Sequence, residues 1–391
     1  MVVRHAQVFR DKQGIDLLTG HCVEQIDPVK QLVAGSTGDG KDFEFAYDRL
    51  LIASGSSAIR PEIPGSDLPG VFVLKSLNDG RKIKSYLAKN SIKKAIIIGM
   101  GYIALEMCES LVDLNIGVDM IKPNPVFLPW LEPSMAQIIR DDLESRGVGV
   151  YAGQAVEGIE TSGDGLQVVG ADQTLQGDMV LAGIGVAPNS RMAETAGLEL
   201  SVAKSIAVDR SMRTTNSRIY AAGDCADAYH VVTDAKTWIP LALRANRAGW
   251  TVADNVLGKN AALDGVAGTS VFRVFDFEVA RTGLNLAEAQ KAGFDAVENM
   301  IQSSSRAHSY SSSSSPSIWV NLIGDKKSGR LLGAQIIGRE GAAHRINGPA
   351  VALHSRMTVA QYSQTDLAYA PPFGPTWDPT LTAANQLIKK L

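Results

Sequence analysis

With 391 residues, 45% of them hydrophobic and 20% charged, the chain has the composition of a globular protein and enough material for two or three domains. Its 38 basic and 41 acidic residues leave a net charge of −3, which argues against an electrostatic grip on nucleic acid or anionic lipid. The longest apolar runs, such as Ala95–Ile98 and Met179–Ala182, are far too short to span a bilayer, and Met1–Gly20 lacks signal-peptide organisation, so a cytoplasmic location is expected.

In chain order, the pattern from Gly14 to Lys41 is strand-like: GIDLLTGHCVEQID, KQLVAG, then a Gly-Asp-Gly turn. Tyr47–Ser54 reads as a buried strand closed by Gly55. A connection with prolines at 61, 64 and 69 follows, and these bar both a helix and a central strand. Lys94–Ile98 is a second buried strand, leading through Gly99-Met-Gly101 into a helix over Tyr102–Leu114. A strand at Gly117–Ile121 completes a βαβ unit. A helix at Pro133–Arg146 comes next, then strands near Val148–Tyr151, Ile159–Ser162, Leu166–Val169 and Met179–Ile184. Strands with apolar cores alternating with helices predict a parallel sheet in an α/β fold.

Beyond Asn255 the texture changes. Strands are expected at Ser270–Phe277, Trp319–Ile323 and Leu331–Ile337, and helices at Leu286–Ala292, His344–Ser355 and Thr358–Ser363. This is an α+β pattern, with a boundary near Gly268. The serine run Ser311–Ser315 cannot fill a core and reads as a loop.

The strongest local motif is IIIGMGYIALE, which sets Gly99, Gly101 and Ala104 in a Gly-x-Gly-x-x-Ala arrangement between strand and helix. The first glycine permits the tight turn and the second admits a pyrophosphate against the backbone. The small third residue lets helix and strand pack closely. Phosphate then meets the free N–H groups of the helix N-terminus. At the end of the next strand, where an acidic residue would bond a ribose hydroxyl of NAD, stands Lys122. Lysine cannot accept that bond but can pair with a 2′-phosphate, which turns the expectation toward NADP while leaving NADH open. In TTNSRIYAAGDCAD a short strand, Ile219–Ala221, delivers Asp224 after Gly223. There a carboxylate can meet a polyol, with backbone N–H groups near phosphate.

Cys22, Cys108 and Cys225 are the three cysteines of the chain. They stand far apart, without a CxxC pair, so no metal site and no local redox dithiol is expected. They read as packed small hydrophobes.

Taken together these motifs resemble the pyridine nucleotide-disulphide oxidoreductases, with two dinucleotide-binding domains. YDRLLIASGSSAIRPEIPG is similar to their ATG element, Ser54 standing for threonine. GMGYIALE is similar to their NAD(P) loop, GIGVAPNS to their Gly-Val-Pro-Asn turn, and AAGDCAD to their second flavin motif. FDFEVARTGLN, LLGAQIIG and LAYAPPFGPTWDP resemble the dimerisation domain of CoA-disulfide reductases, NADH oxidases and polysulfide reductases.

The resemblance implies an α/β fold of two interleaved Rossmann-like nucleotide-binding domains, the first truncated at its N-terminus, plus a C-terminal α+β dimerisation domain. Residues 1–75 and 190–267 would form the flavin domain, 76–189 the NAD(P) domain and 268–391 the dimerisation domain. FAD and NAD(P)H are the implied cofactors. Ala53, Ser54, Gly55, Gly223 and Asp224 would meet the flavin dinucleotide, with Leu241 and Ala242. Gly99, Gly101, Tyr102, Ile103, Ala104, Glu106, Lys122 and Gly185 would meet the nicotinamide nucleotide, and Asn246 the thiol substrate. Tyr369, and Tyr310 in a neighbourhood where serines replace the family's proline and glycine, would donate to a thiolate as catalytic residues.

The implied function is a homodimeric flavoprotein that passes hydride from NAD(P)H to flavin and on to CoA disulfide, polysulfide or a related acceptor. The family's first Gly-x-Gly-x-x-Gly loop and nucleophilic cysteine precede the segment that this chain's opening resembles. A truncated start is therefore expected, and none of the three cysteines is offered to a substrate by a motif. Two alternatives stay open: a non-catalytic NAD(P)-binding or dimerising remnant, and a flavin NAD(P)H oxidase that works without cysteine.

Overall fold

A computed structural model describes residues 5–308 and 315–391. Tyr310 and Ser311–Ser314 of the serine run lie outside the described residues. The chain divides into two compact units: Met1–Gly55, Pro188–Ala228 and Lys236–Leu263 form the first, and Ser56–Ala187, Tyr229–Ala235 and Asp264–Leu391 the second.

The first unit carries an antiparallel three-stranded meander, His21–Asp27, Leu32–Thr37 and Asp42–Ala46. The Gly-Asp-Gly turn joins its last two strands, with Gly40 at φ +82. The strand expected from Gly14 begins at His21, because Ala6–Gln13 is helical and Gly14 caps it in the left-handed region. Leu50–Ile52 pairs in parallel with Ile219–Ala221. This is shorter than the strand expected over Tyr47–Ser54, and Leu51 is 40% exposed. A 15-residue helix, Ala242–Val256, contributes Ala248 and Val252 to a core with Ile52, Ile206, Ile219 and Tyr220.

The second unit holds a five-stranded parallel sheet. Across it run Val71–Val73, Met179–Ala182, Lys94–Ile98, Gly117–Lys122 and Gly149–Ala152. Ala95, Ile96 and Ile97 are fully buried because the sheet is covered on both faces. Each such isoleucine stabilises the fold by about 2 kcal/mol. The helices Tyr102–Val112 and Pro133–Ser145 and the surrounding strands fall close to their expected positions. The helix Leu77–Lys89, marked by a Ser76/Asp79 capping box, adds to them.

A three-stranded antiparallel sheet, Val156–Ser162, Gly165–Gly170 and Thr174–Gly177, lies in the same unit. A further antiparallel sheet runs in the order Ser270–Val274, Phe277–Gly283, Leu331–Gly338, Ser317–Asp325, Ala296–Ser304. The single strand expected over Ser270–Phe277 is instead a hairpin. Its tight turn puts Phe275 at φ +50 without a glycine. Tertiary contacts hold that conformation: Phe275 N donates to Glu109 Oε2 at 2.8 Å, and the Arg146 guanidinium lies 4.5 Å from the ring centroid. The helix expected over His344–Ser355 is two, Ala342–Arg345 and Asn347–His354. No helix of the described residues is long and apolar enough to cross a membrane.

Candidate functional site

In the second unit the strand Lys94–Ile98 ends on Gly99, whose φ of +111 only glycine adopts without strain. A Cβ at Gly99 would meet Gly183 O at 2.3 Å, and one at Gly183 would meet Ala104 Cβ at 3.1 Å. The small residues Gly99, Ala104 and Gly183 thus let loop, helix and the 183–185 turn close on one another. Gly101 differs: it begins the helix Tyr102–Val112, no side chain caps that N-terminus, and nothing lies within 4 Å of a Cβ placed there. Unsatisfied N–H groups face open space, a cradle that fits a pyrophosphate.

Along the same helix, Ile103 is 39% exposed, while Tyr102 packs in an aromatic cluster with Trp130 and Phe272 at 5.3 and 5.0 Å between ring centroids. Its hydroxyl meets Ser270 Oγ at 3.3 Å. Glu106 titrates above its ordinary value, through partial burial first and the charge of Glu109 second. Gly185 sits at φ +114 in the neighbouring turn. Lys122 closes the strand Gly117–Lys122, 9% exposed, with Nζ donating to Val126 O at 2.7 Å, and desolvation lowers its pKa. The buried Asp119 is held by Lys94 at 2.7 Å.

In the first unit Ala53, Ser54 and Gly55 follow the strand Leu50–Ile52, and Gly223 and Asp224 follow its parallel neighbour Ile219–Ala221. Parallel pairing therefore brings the two loops to the same, C-terminal end of the strands, where ligands of such sheets bind. Ser54 Oγ donates to Asn189 O at 2.6 Å, Asn189 Nδ2 returns a bond to Ser54 O at 2.9 Å, and Asn189 N donates to Gly55 O at 2.9 Å. Gly55 and Gly223 stand at φ +70 and +82, with open space around Gly55. Leu241 and Ala242 open the helix Ala242–Val256, whose N-terminus also has no side-chain cap. Asn246, one turn along, is exposed, its Nδ2 bonded to Ala242 O at 2.9 Å. These open glycines and bare helix N–H groups fit the phosphates and polyol of a flavin dinucleotide.

Two residues that hold this site carry no motif of their own. Trp238 Nε1 donates to Asp224 O at 2.7 Å. Arg244, 5% exposed, donates to Gly223 O and Asp227 O, and desolvation lowers its pKa. The signal for Arg244 was an arginine at a core position of an amphipathic helix, since a buried guanidinium demands partners.

Of the cysteines, Cys108 is buried and its thiol is pushed up to about 12 by desolvation. Cys225 is buried, donating to Ala222 O at 3.2 Å, and Cys22 is exposed on the meander. Tyr369 is 56% exposed in the second unit. Its loop is fastened by Arg345, which donates to Phe373 O at 3.0 Å and Ser305 O at 2.9 Å and pairs with Asp378 at 2.8 Å. Among the described residues, no group of histidine, cysteine and acidic side chains is placed to hold a metal ion.

Residues 2–249 match the model of the pyridine nucleotide-disulphide oxidoreductases, and residues 269–379 that of their dimerisation domain. The chain belongs to this family. Its members are flavoprotein oxidoreductases that use FAD and NAD(P)H. Over 390 residues the chain is 33% identical to the NAD(P)H sulfur oxidoreductase (CoA-dependent) of Pyrococcus furiosus, covering 97% of this chain and 85% of that protein. It is 30% identical to an NADH oxidase of Methanocaldococcus jannaschii, covering 100% and 87%. The structure of an NAD-dependent persulfide reductase from A. fulgidus superimposes with a TM-score of 0.95 at 35% identity, over 99% of this chain and 72% of that one. The mixed α/β fold with a C-terminal dimerisation domain is therefore that of the family.

Proposed function

We propose that the chain is a homodimeric FAD-dependent NAD(P)H oxidoreductase with a sulfur acceptor, a disulfide, persulfide or polysulfide. The observation that carries the reading is the cradle at Gly99–Gly101, closed against Gly183 and open at the uncapped helix N-terminus. In this reading residues 76–189 hold the nicotinamide nucleotide, 1–75 with 190–267 the flavin, and 268–391 the subunit contact. Gly99, Gly101 and Ala104 position the pyrophosphate, with Gly185, Tyr102 and Ile103 lining the nucleotide. Glu106, raised in pKa, presents a carboxyl that can hold a proton near the nicotinamide amide. Lys122 occupies the ribose end. Ser54 and Gly55, fixed by Asn189, and Asp224, fixed by Trp238 and Arg244, orient the flavin dinucleotide. Leu241 and Ala242 offer the helix N-terminus to its ring. Flavin, when bound, accepts a hydride from NAD(P)H and yields two electrons to the acceptor. Asn246 and Tyr369, a hydrogen-bond donor, then serve the sulfur substrate, and Tyr369 stabilises a leaving thiolate.

The relatives support this acceptor class: a CoA-dependent sulfur oxidoreductase and a persulfide reductase are both at least 33% identical to the chain. The test is optical. Purified protein is expected to be yellow and to bleach on anaerobic addition of NADH or NADPH. Colour should return on adding CoA disulfide or polysulfide. A colourless protein that still binds NAD(P)H would sink the reading in favour of a binding module.

One observation favours a second reading. Cys108 and Cys225 are buried and Cys108 is held neutral. The exposed Cys22 stands on the strand His21–Asp27 rather than on the loops at Ser54–Gly55 or Gly223–Asp224, whereas sulfur exchange needs an accessible thiolate at the flavin. A flavin oxidase that reduces oxygen without cysteine fits those residues. Oxygen uptake that is unchanged by any sulfur acceptor would select it.

A further inference from the structure

The end of the first unit's parallel strands opposite Gly55 and Asp224 has no part in the reading above, yet it is built around a recess. Arg49 immediately precedes the strand Leu50–Ile52, and Arg218 precedes Ile219–Ala221. Leu50 N donates to Arg218 O at 3.0 Å, which sets the two arginines side by side. Together with Arg213 and the C-terminal turn of the helix Ala242–Val256 they line a cavity of about 480 Å³. Its walls are fixed rather than loose. Asn255 donates to Ser211 O at 2.8 Å and Ala261 O at 2.9 Å, and accepts from Ala261 N at 2.6 Å. Tyr220, 2% exposed, lines the cavity, makes no hydroxyl hydrogen bond to any described residue, and lies beneath the Arg213 guanidinium at 5.8 Å.

The charge here is unbalanced. Arg49 donates to the Asp48 carbonyl at 2.9 Å and Arg218 to Gln31 Oε1 at 2.8 Å. Among the described residues no carboxylate lies within ion-pair distance of any of the three guanidiniums. The helix C-terminus does not require them, since Ala253, Asp254 and Asn255 carbonyls accept from Leu257, Lys259 and Gly258. All three arginines are exposed, so solvent screens their mutual repulsion. What the recess offers an anion is three guanidiniums without a carboxylate partner among the described residues, around one opening. The planar, five-donor guanidinium is the side chain best matched to phosphate. A cavity of this size falls in the range of small-molecule sites.

We propose that this recess is a second anion site, separate from the two dinucleotide sites, that takes a phosphate-bearing small molecule of nucleotide size. It predicts that inorganic pyrophosphate shields Arg49, Arg213 and Arg218 from phenylglyoxal, read residue by residue by peptide mass spectrometry. Labelling of the three should slow at least ~5-fold against sodium chloride of equal ionic strength, because bidentate phosphate contacts are not reproduced by diffuse screening. Pyrophosphate held at the Gly99 loop does not enter this readout. The variant R49Q/R213Q/R218Q should keep its flavin content and NADH affinity. Equal labelling in pyrophosphate and chloride would overturn the site. So would stronger protection by a glutamate hexapeptide, the mark of a protein-docking patch, or loss of NADH affinity in the triple variant.

Discussion

The two candidate nucleotide regions are held in opposite ways. In the second unit, the Gly99 loop springs from a sheet of five strands with Ala95–Ile97 fully buried, and its shape is dictated by backbone packed on backbone. In the first unit, the loops at Ser54–Gly55 and Gly223–Asp224 rise from two short strands with Leu51 40% exposed, and side chains fix them: Asn189, Trp238 and Arg244. Packing tolerates no added atom, whereas a side-chain tether fails only when its donors are removed. The two regions should therefore break under different substitutions.

The largest effect is expected at the packed loop. Gly99→Val places a β-branched side chain at φ +111 and its Cβ 2.3 Å from Gly183 O. It should cost about 4 kcal/mol in urea unfolding and abolish NADH binding. Gly101→Ala is the contrast, with φ −86 and open space around the new atom. It should move stability by less than about 0.5 kcal/mol yet weaken NADH at least ~10-fold by filling the cradle. Equal effects of the two in a fluorescence titration and a urea melt would refute the division between packing and cradle.

In the first unit Arg244→Leu strips donors from the buried Asp227 O and the part-buried Gly223 O. We expect a loss of about 3 kcal/mol and a fall in flavin per protein measured after gel filtration. Arg244→Lys should recover little, because one ammonium cannot reproduce the forked contact. Full rescue by lysine would show that charge, rather than the tether, holds the Asp224 turn.

These particular residues also show what the sequence could carry. The parallel sheet and the cradle were legible because both depend on local pattern: an apolar run, two glycines, a small residue and an amphipathic helix. The hairpin at Phe275–Asp276 was not, since a phenylalanine at φ +50 is tolerated only through Glu109 and Arg146, more than a hundred residues away. Arg244 was hidden for the same reason: its partners become visible only once strand and helix are assembled. Helix His344–Ser355 read as one although its sequence held the break: Pro349 has no N–H to give the Arg345 carbonyl, and the helix divides at Ile346.

A pH test addresses the second unit alone. His230 is 6% exposed, accepts from Val232 N at 3.2 Å, and burial pushes it from 6.5 down to about 4. Between those values the unfolded chain binds the proton that the folded imidazole refuses. Stability present above pH 6.5 is therefore lost as the pH falls toward 4, by at most roughly 3 kcal/mol. His230→Gln should flatten that decline in urea melts at pH 7 and 4.5. An unchanged slope would assign the acid sensitivity to other groups.

The smallest expected effect is at Lys122, and it sharpens the comparison because here a side chain stands at the edge of the packed region. From its position at the strand end, lysine can serve a 2′-phosphate, and Lys122→Gln would then lower NADPH affinity relative to NADH. In the structure the ammonium is buried and donates to Val126 O at 2.7 Å, and its charged form is already disfavoured. A lysine so engaged must break a hydrogen bond to reach a ligand, an exchange of about 1 kcal/mol. The ratio of NADPH to NADH dissociation constants should therefore change less than ~3-fold in Lys122→Gln. A tenfold rise in that ratio would show that the Val126 bond opens on binding and that this edge, like the first unit, works through a movable side chain.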